Sequence, residues 1–463
     1  MASPLRHSRT VQLFPRRAIL SSQKVELRPA GISPAACCRG TSRFFLMEDW
    51  PMTRARRWAR RFVISEGLVL GSLLLVAPMV YAVAAVEAPA GYDSLTNGLE
   101  SQTQFDLDKA EFNNREQIAD GLGPLYNAQS CGECHQSPVS GAGSQVTELR
   151  VGRLDPSGSF VEHPGGSLIN DRAVDPSIQE QATRDDTVVA FRSSLGTLGD
   201  GYVEAIPDDA FTRMQANQPP AMKGTIIRVP LSEAPGQTRI GRFGWKDQHA
   251  SLLSFAADAY LNEMGITSPL QPNENTSNGK SVASFDAVSD PEDVATPSAP
   301  RGNDVETFVR FMRATKAPAR DAVLAASPGA QMGAGIFHQI GCDLCHVSTI
   351  QTAPAGTVIN GGTFTVPPAL GDKIIHPFSD FMLHDVGTGD GIVQNGGQAT
   401  ARKLRTPPLW GLRTRSRFMH DLATVSYEAA VLRHAGEAGP VIQSYKNLPP
   451  QQRGQLMQFL RSL

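Results

Sequence analysis

Four cysteines fall in two copies of one pattern, Cys131-Gly132-Glu133-Cys134-His135 and Cys342-Asp343-Leu344-Cys345-His346. Two thiols on one turn can add across the two vinyl groups of a haem. The histidine that follows is then placed to ligate the iron from the proximal side. A zinc site or a redox dithiol also uses C-x-x-C, but neither needs the next residue to be His. The two copies, 211 positions apart, also lack the compact spacing of one zinc site. The spacing predicts two covalently bound c-type haems, with Cys131, Cys134, Cys342 and Cys345 as thioethers and His135 and His346 on iron.

The surroundings of the motifs repeat. Tyr126 and Phe337 each precede the first Cys of their motif by five residues, within Gly123-Pro124-Leu125-Tyr126 and Gly335-Ile336-Phe337. Arg192-Ser193-Ser194-Leu195 follows Cys131 by 61 residues and Arg405-Thr406-Pro407-Pro408-Leu409 follows Cys342 by 63. An aromatic at that offset suits a helix packed beside a haem. The predicted class is mostly α, two cytochrome c-like domains with one haem each. The first domain is expected at 85–267, closed by a helix through Leu252, Phe255, Ala256, Leu261 and Met264 that Gly265 ends. A polar loop at 268–302 joins it to a second domain at 303–463. That domain opens on a helix capped by Asn303 and Glu306 and closes on one within 448–463.

The chain of 463 residues is long enough for more than one core, and its charge is uneven. Residues 1–84 hold 13 Lys and Arg against 4 Asp and Glu, which leaves 30 against 41 for 85–463. A body near −11 excludes nucleic acid as a partner and favours a redox partner that is basic at its docking face. The basic run Arg54 to Arg61 leads into an apolar stretch, Leu68 to Val83, and then Ala82-Val83-Ala84. Residues 52–84 therefore read as an export signal cleaved before Ala85, or as an N-terminal anchor and the sole membrane contact. Export to the periplasm agrees with the motifs, because haem is attached to them outside the cytoplasm. Residues 1–51, with Cys37 and Cys38, carry no periodicity and read as a start-site extension.

What stands opposite each proximal His decides between an electron carrier and an open, reactive iron. The remaining histidines of the second half are His338, His376, His384, His420 and His434; the first half has His163 and His249. Arg405-Thr406-Pro407-Pro408-Leu409-Trp410-Gly411, Met419-His420-Asp421, His434-Ala435-Gly436-Glu437-Ala438, Asp380-Phe381-Met382-Leu383-His384-Asp385 and Arg242-Phe243-Gly244-Trp245-Lys246 together resemble the di-haem oxidoreductase family. That family is also labelled thiol oxidoreductase and is related to the bacterial di-haem cytochrome c peroxidases. The resemblance spans about 110–463.

It implies an enzyme in which the C-terminal haem takes electrons from a small donor and the N-terminal haem meets peroxide. It also implies a sixth ligand for the second haem fourteen residues after His420, which is His434. Glu204, in Gly201-Tyr202-Val203-Glu204-Ala205, resembles the family's distal acid and is the expected catalytic proton carrier. His163 is the candidate for a removable ligand on the first haem and Trp245 for the path between haems. Arg192 and Arg405 are expected to pair with haem propionates. Leu422 replaces the glycine usual in the turn after His420, so that loop is expected to change shape. The alternative is a relay with both irons six-coordinate. All four motif thiols are committed to haem, so a thiol would have to be substrate.

Overall fold

In a computed structural model, residues 84–463 are described. The extension 1–51 and nearly all of the segment 52–84 lie outside them, so neither expectation is addressed. Among the described residues, no helix is long and apolar enough to cross a membrane.

The helices follow their caps and apolar periods. α1 (Gln102–Phe112) starts where Ser101 accepts the Gln104 amide at 3.2 Å, and it buries Phe105 and Phe112. α2 (Cys131–Cys134) is the single turn of the first motif. α3 (Asp200–Glu204) is buried along its whole length, and α4 (Asp208–Asn217) carries Asp208 and Asp209 in its first turn, where the helix dipole favours anions. α5 (Leu252–Ala259) is capped by Ser251, runs on through a π-turn, Tyr260–Met264, and ends at Gly265 in the left-handed region, as the sequence predicts.

α6 (Asn303–Ala314) buries Val305, Phe308, Val309, Phe311 and Met312. Its cap differs from the expected one. Gly302 is the N-cap and no side chain of the helix caps it; instead the Glu292 carboxylate accepts the Asp304 amide at 3.0 Å. After α7 (Ala322–Ala325), α8 (Pro328–Gln339) starts from a Ser327 cap with Pro328 in its first turn. α9 (Tyr427–Leu432), α10 (Gly439–Lys446) and α11 (Pro450–Ser462) complete the chain.

Two helical clusters carry the motifs. α1 and α6 meet through Phe112 and Phe311, ring centroids 4.7 Å apart, and α3 and α5 join them in one buried core. α8 and α11 form the other, with Phe337 on Phe459 at 5.1 Å. α6, assigned from sequence to the second domain, packs in the core beside the first motif, and that core also takes in Ile350, Val366, Leu370, Phe381 and Trp410 from the C-terminal half. The described residues cluster as one compact unit. The loop 268–302 has no helix or strand, as expected, but it is packed: Val282 is buried against Leu125 and Ile178.

The expected mostly α class is also corrected. The described residues are 32% helical and 15% strand, a mixed fold. Strand Thr147–Leu154 pairs antiparallel with Val188–Ser193 along one edge and with Phe160–Glu162 and Leu168–Ile169 along the other. Alternation is weak in this sheet because both faces bury something: Val151 is wholly buried on one, and the ion pair of Glu148 with Arg150 occupies the other at 2.6 Å.

Candidate haem sites

The second motif opens onto a cavity whose walls are mostly apolar and include Phe337, Leu404, Leu409, Phe418, Val431 and Leu456. Cys342, Cys345 and His346 line it from one side and His434 from the other. The His346 and His434 ring centroids are 6.5 Å apart. A metal between two imidazoles, with bonds of about 2 Å to each nitrogen, places ring centres at about this separation. Each ring is tied through Nδ1. His346 Nδ1–H donates to the Phe378 carbonyl at 3.0 Å and His434 Nδ1–H to the Ala430 carbonyl at 2.9 Å. Those bonds fix the tautomer and leave both Nε2 lone pairs available. Burial pushes His346 down to about 4, so the imidazole is neutral, the ligating form.

At the first motif, burial likewise pushes His135 down to about 4, and its Nδ1 is a buried polar atom without a hydrogen-bond partner. Phe112 stands edge-on to the ring at 6.2 Å. The other first-half histidines are engaged elsewhere. His163, expected as a removable ligand, has Nδ1 at 2.9 Å from Asp186 and Nε2 at 2.7 Å from the Asn278 amide, which uses both nitrogens. His249 pairs with Asp258 at 3.1 Å. Burial pushes the Cys131 and Cys342 thiols up to about 12 and Cys134 to about 11. A redox dithiol needs the opposite shift. These thiols fit a haem adduct, which removes their protons for good.

Glu204, the expected proton carrier, is held by several partners. It is fully buried, and its carboxylate accepts from Arg313 at 2.7 and 3.0 Å, from the Leu252 amide at 2.9 Å and from Asn360 at 2.9 Å. Burial alone would raise its pKa; Arg313, by charge and hydrogen bond, and the Leu252 amide more than offset this, and the carboxyl is held below its usual value. Through Arg313 it ties α3 to α6.

The two expected propionate partners differ. Arg405 lines the second cavity, gives its Nε–H to the Gly244 carbonyl at 2.8 Å and lies over the Phe381 ring at 5.5 Å. Its terminal amino groups make no hydrogen bond among the described residues, so a carboxylate in the cavity can take them. Arg192 does not line that cavity. Its Nε donates to Asp390 at 2.7 Å and a terminal amino group to Gln394 at 2.7 Å; Lys246 also reaches Asp390, at 3.0 Å. All three charges are at most 1% exposed. One carboxylate therefore holds two buried cations. Asp390→Asn is expected to cost about 3–5 kcal/mol in a urea denaturation series, because both cations lose their buried counter-charge.

Sequence reasoning missed Arg415. It lines the second cavity and also a smaller one formed with Ala142, Gly143, Gly196 and Leu198, just past the first motif. A Cβ on Gly143 would lie 3.2 Å from its terminal amino group, so the glycine leaves room for it. The guanidinium has no hydrogen bond or ion pair among the described residues, yet burial pushes its pKa down. An unpaired, half-buried cation that lines both cavities is a seat for a carboxylate. Its setting, Thr414-Arg415-Ser416-Arg417, reads in sequence as a solvated basic run.

Trp245 also lines the second cavity; its indole N–H donates to the Ser193 carbonyl at 2.7 Å, and its ring meets His420 at 5.9 Å. The next residue, Ser194, lies beside the Cys134 thiol. Trp410 is buried in the core with α6, and Met264 and Met312 are core residues there too, as expected. The turn after His420 keeps left-handed geometry despite its leucine. Leu422 has φ of 52° and Met419 of 71°. For a leucine this costs about 1–2 kcal/mol, and burial of the side chain to 3% exposure offsets it.

The sequence profile described as "Di-haem oxidoreductase, putative peroxidase" matches residues 169–463. The chain belongs to the di-haem oxidoreductase family. The match includes the second motif and begins after the first. Membership implies haem cofactors and redox enzymology. No curated protein matches. Among solved structures, the di-haem oxidoreductase is similar to the diheme peroxidase BthA of Burkholderia thailandensis at 13% identity, covering 82% of this chain and 94% of that one, TM-score 0.37. A MauG-like protein associated with microbial copper homeostasis is 14% identical over 83% of this chain and 94% of its own, TM-score 0.35. Kuenenia stuttgartiensis hydrazine synthase is 13% identical over 88% of this chain and all of its own, TM-score 0.34. These likenesses are too loose to carry residue roles.

Proposed function

We propose that this di-haem oxidoreductase is an exported, periplasmic c-type cytochrome with peroxidase-like activity. Cys131, Cys134 and His135 would hold one haem, and Cys342, Cys345, His346 and His434 would hold a second. When bound, the two groups would supply the redox chemistry, in which a small oxidant such as peroxide would take up two electrons and two protons to give water. The observation that carries this reading is the asymmetry between the motifs. His434 faces His346 at 6.5 Å, whereas His163 and His249 are both bonded away from His135. A relay with two closed irons has no use for that difference.

The chain's residues then divide the work. The Phe378 and Ala430 carbonyls orient the two rings of the closed site. Arg405 and Arg415 offer unspent guanidinium donors to haem carboxylates, and the position of Arg415 on both cavities lets it steady both groups. Trp245 lines the second cavity and bonds Ser193, whose neighbour Ser194 lies beside Cys134, so it is the candidate for the electron path. Fixed dipoles and buried cations need no reorganisation as charge moves. The net acidic body, 41 Asp and Glu against 30 Lys and Arg over 85–463, favours a small basic redox protein as donor.

Haem-loaded protein, fully reduced and mixed with limiting hydrogen peroxide, is expected to consume one peroxide per two haems oxidised. If the reduced protein survives peroxide unchanged and passes electrons only to another cytochrome, the relay reading replaces this one.

A further inference from the structure

Beyond this reading, one buried side chain at the second cavity has been given no task. His384 lines that cavity and is 2% exposed. Its strand, Leu383–His384, pairs antiparallel with Leu404–Arg405, which fixes the backbone beneath the ring. A Cβ on Gly224 would lie 2.8 Å from Nε2, so the glycine there leaves the ring its place.

Both ring nitrogens are taken by carboxylates. Nδ1 is 2.7 Å from Glu437 Oε2, and Nε2 is 2.8 Å from Asp380 Oδ2. Each carboxylate also accepts on its other oxygen: Asp380 Oδ1 from the Met382 amide at 3.0 Å, and Glu437 Oε1 from the Lys403 ammonium at 3.2 Å. The Gln218 amide adds a further donor to Asp380 Oδ2, at 2.7 Å. Oxygens that accept on every side have no hydrogen to give, so both nitrogens of His384 carry one and the ring is an imidazolium. Burial alone would lower its pKa; the Asp380 charge, with the hydrogen bonds of the ring, more than offsets this and pushes it up to about 12.

The ring stands against the second motif. Cys345 Sγ, the sulfur that attachment would turn into a thioether, is 3.8 Å from Nδ1. Asp380 is wholly buried, and Glu437 and Lys403 are half-buried. With His384 these charges sum to zero: two carboxylates against one imidazolium and one ammonium.

We propose that His384 is a fixed cation that holds up the reduction potential of the second haem. The inference rests on a haem at the second motif, as in the reading above, and not on peroxide turnover. Oxidised haem iron carries one more positive charge than reduced. With His384 in place the buried charge of Asp380 is cancelled; without it that charge stands uncompensated beside the cavity and favours the oxidised form. A bonded cation in a dry site also needs no reorganisation as the electron arrives. His384 thereby eases the step in which the second haem accepts an electron from its donor.

The test is a potentiometric titration of the haem-loaded protein at pH 7, read from the visible spectrum of the six-coordinate haem, after a haem count per chain. His384→Gln should lower the midpoint, so that the ratio of oxidised to reduced haem at a fixed potential rises about tenfold or more, which is about 59 mV for one electron. Asp380→Asn should move it the opposite way. The double variant restores the charge sum and should return towards wild type although both side chains have changed, whereas disturbed packing would accumulate. If these buried variants do not fold, Glu437→Gln, at a half-buried position, should raise the midpoint. A midpoint unmoved in His384→Gln or in Glu437→Gln, or moved the same way by His384→Gln and Asp380→Asn, would overturn this inference alone. A count of one haem per chain would overturn the two-haem reading, and this inference with it.

Discussion

Replacing Glu204 with glutamine is expected to destabilise the protein by about 3–5 kcal/mol while leaving peroxide chemistry intact in the fraction that folds. The loss arises at Arg313, which is 9% exposed and gives two hydrogen bonds to this carboxylate across the contact of α3 with α6. Glutamine keeps the size but leaves the guanidinium buried without its counter-charge. The pH dependence follows from the direction of the shift. The Glu204 carboxyl is held below its usual value in the folded protein. Its contribution is therefore fully present above the unfolded carboxyl pKa of about 4.3 and is lost as pH falls through the lower folded value. Wild type should lose stability over that acid range more steeply than Glu204→Gln, measured by urea midpoints between pH 3 and 7. A proton carrier would give the reverse pattern: normal stability and a turnover that fails.

His434→Ala is expected to change the second haem and leave the first alone. With the side chain gone, the cavity keeps apolar lining residues such as Val431, Leu456 and Phe418, which cannot ligate iron. The visible spectrum should shift from six-coordinate, low-spin to five-coordinate character for half of the haem. That haem should gain carbon monoxide binding, and its reduction by the donor should slow. A variant spectrum identical to wild type would remove His434 from the iron.

The motifs were legible because covalent attachment ties chemistry to consecutive residues; the spacing of Cys131, Cys134 and His135 leaves little to tertiary structure. The end of α5 at Gly265 and the face of α6 were legible for a similar reason, since caps and apolar periods are local. What the period of α6 does not contain is its destination. Val305, Phe308 and Met312 state that one face is buried, and only the contact with Phe112 of α1 states where. The role of Glu204 was hidden in the same way, because Arg313 and Asn360 lie 109 and 156 residues downstream. Arg192 resembles Arg405 in its setting after a motif, and nothing in that setting shows its bonds to Asp390 and Gln394. The offset of fourteen from His420 to His434 carried meaning only through the family resemblance. Leu422 shows a preference overruled: the turn keeps its positive φ, and leucine is strained into it.

The most direct test of the account is to titrate the fully reduced, haem-loaded wild type with carbon monoxide and count the haems that bind it. One of two is the expected result, the open iron being the one on His135, with the other closed by His346 and His434. Binding at neither haem would mean that both irons are closed and the protein is a relay; binding at both would mean that His434 does not hold the second iron.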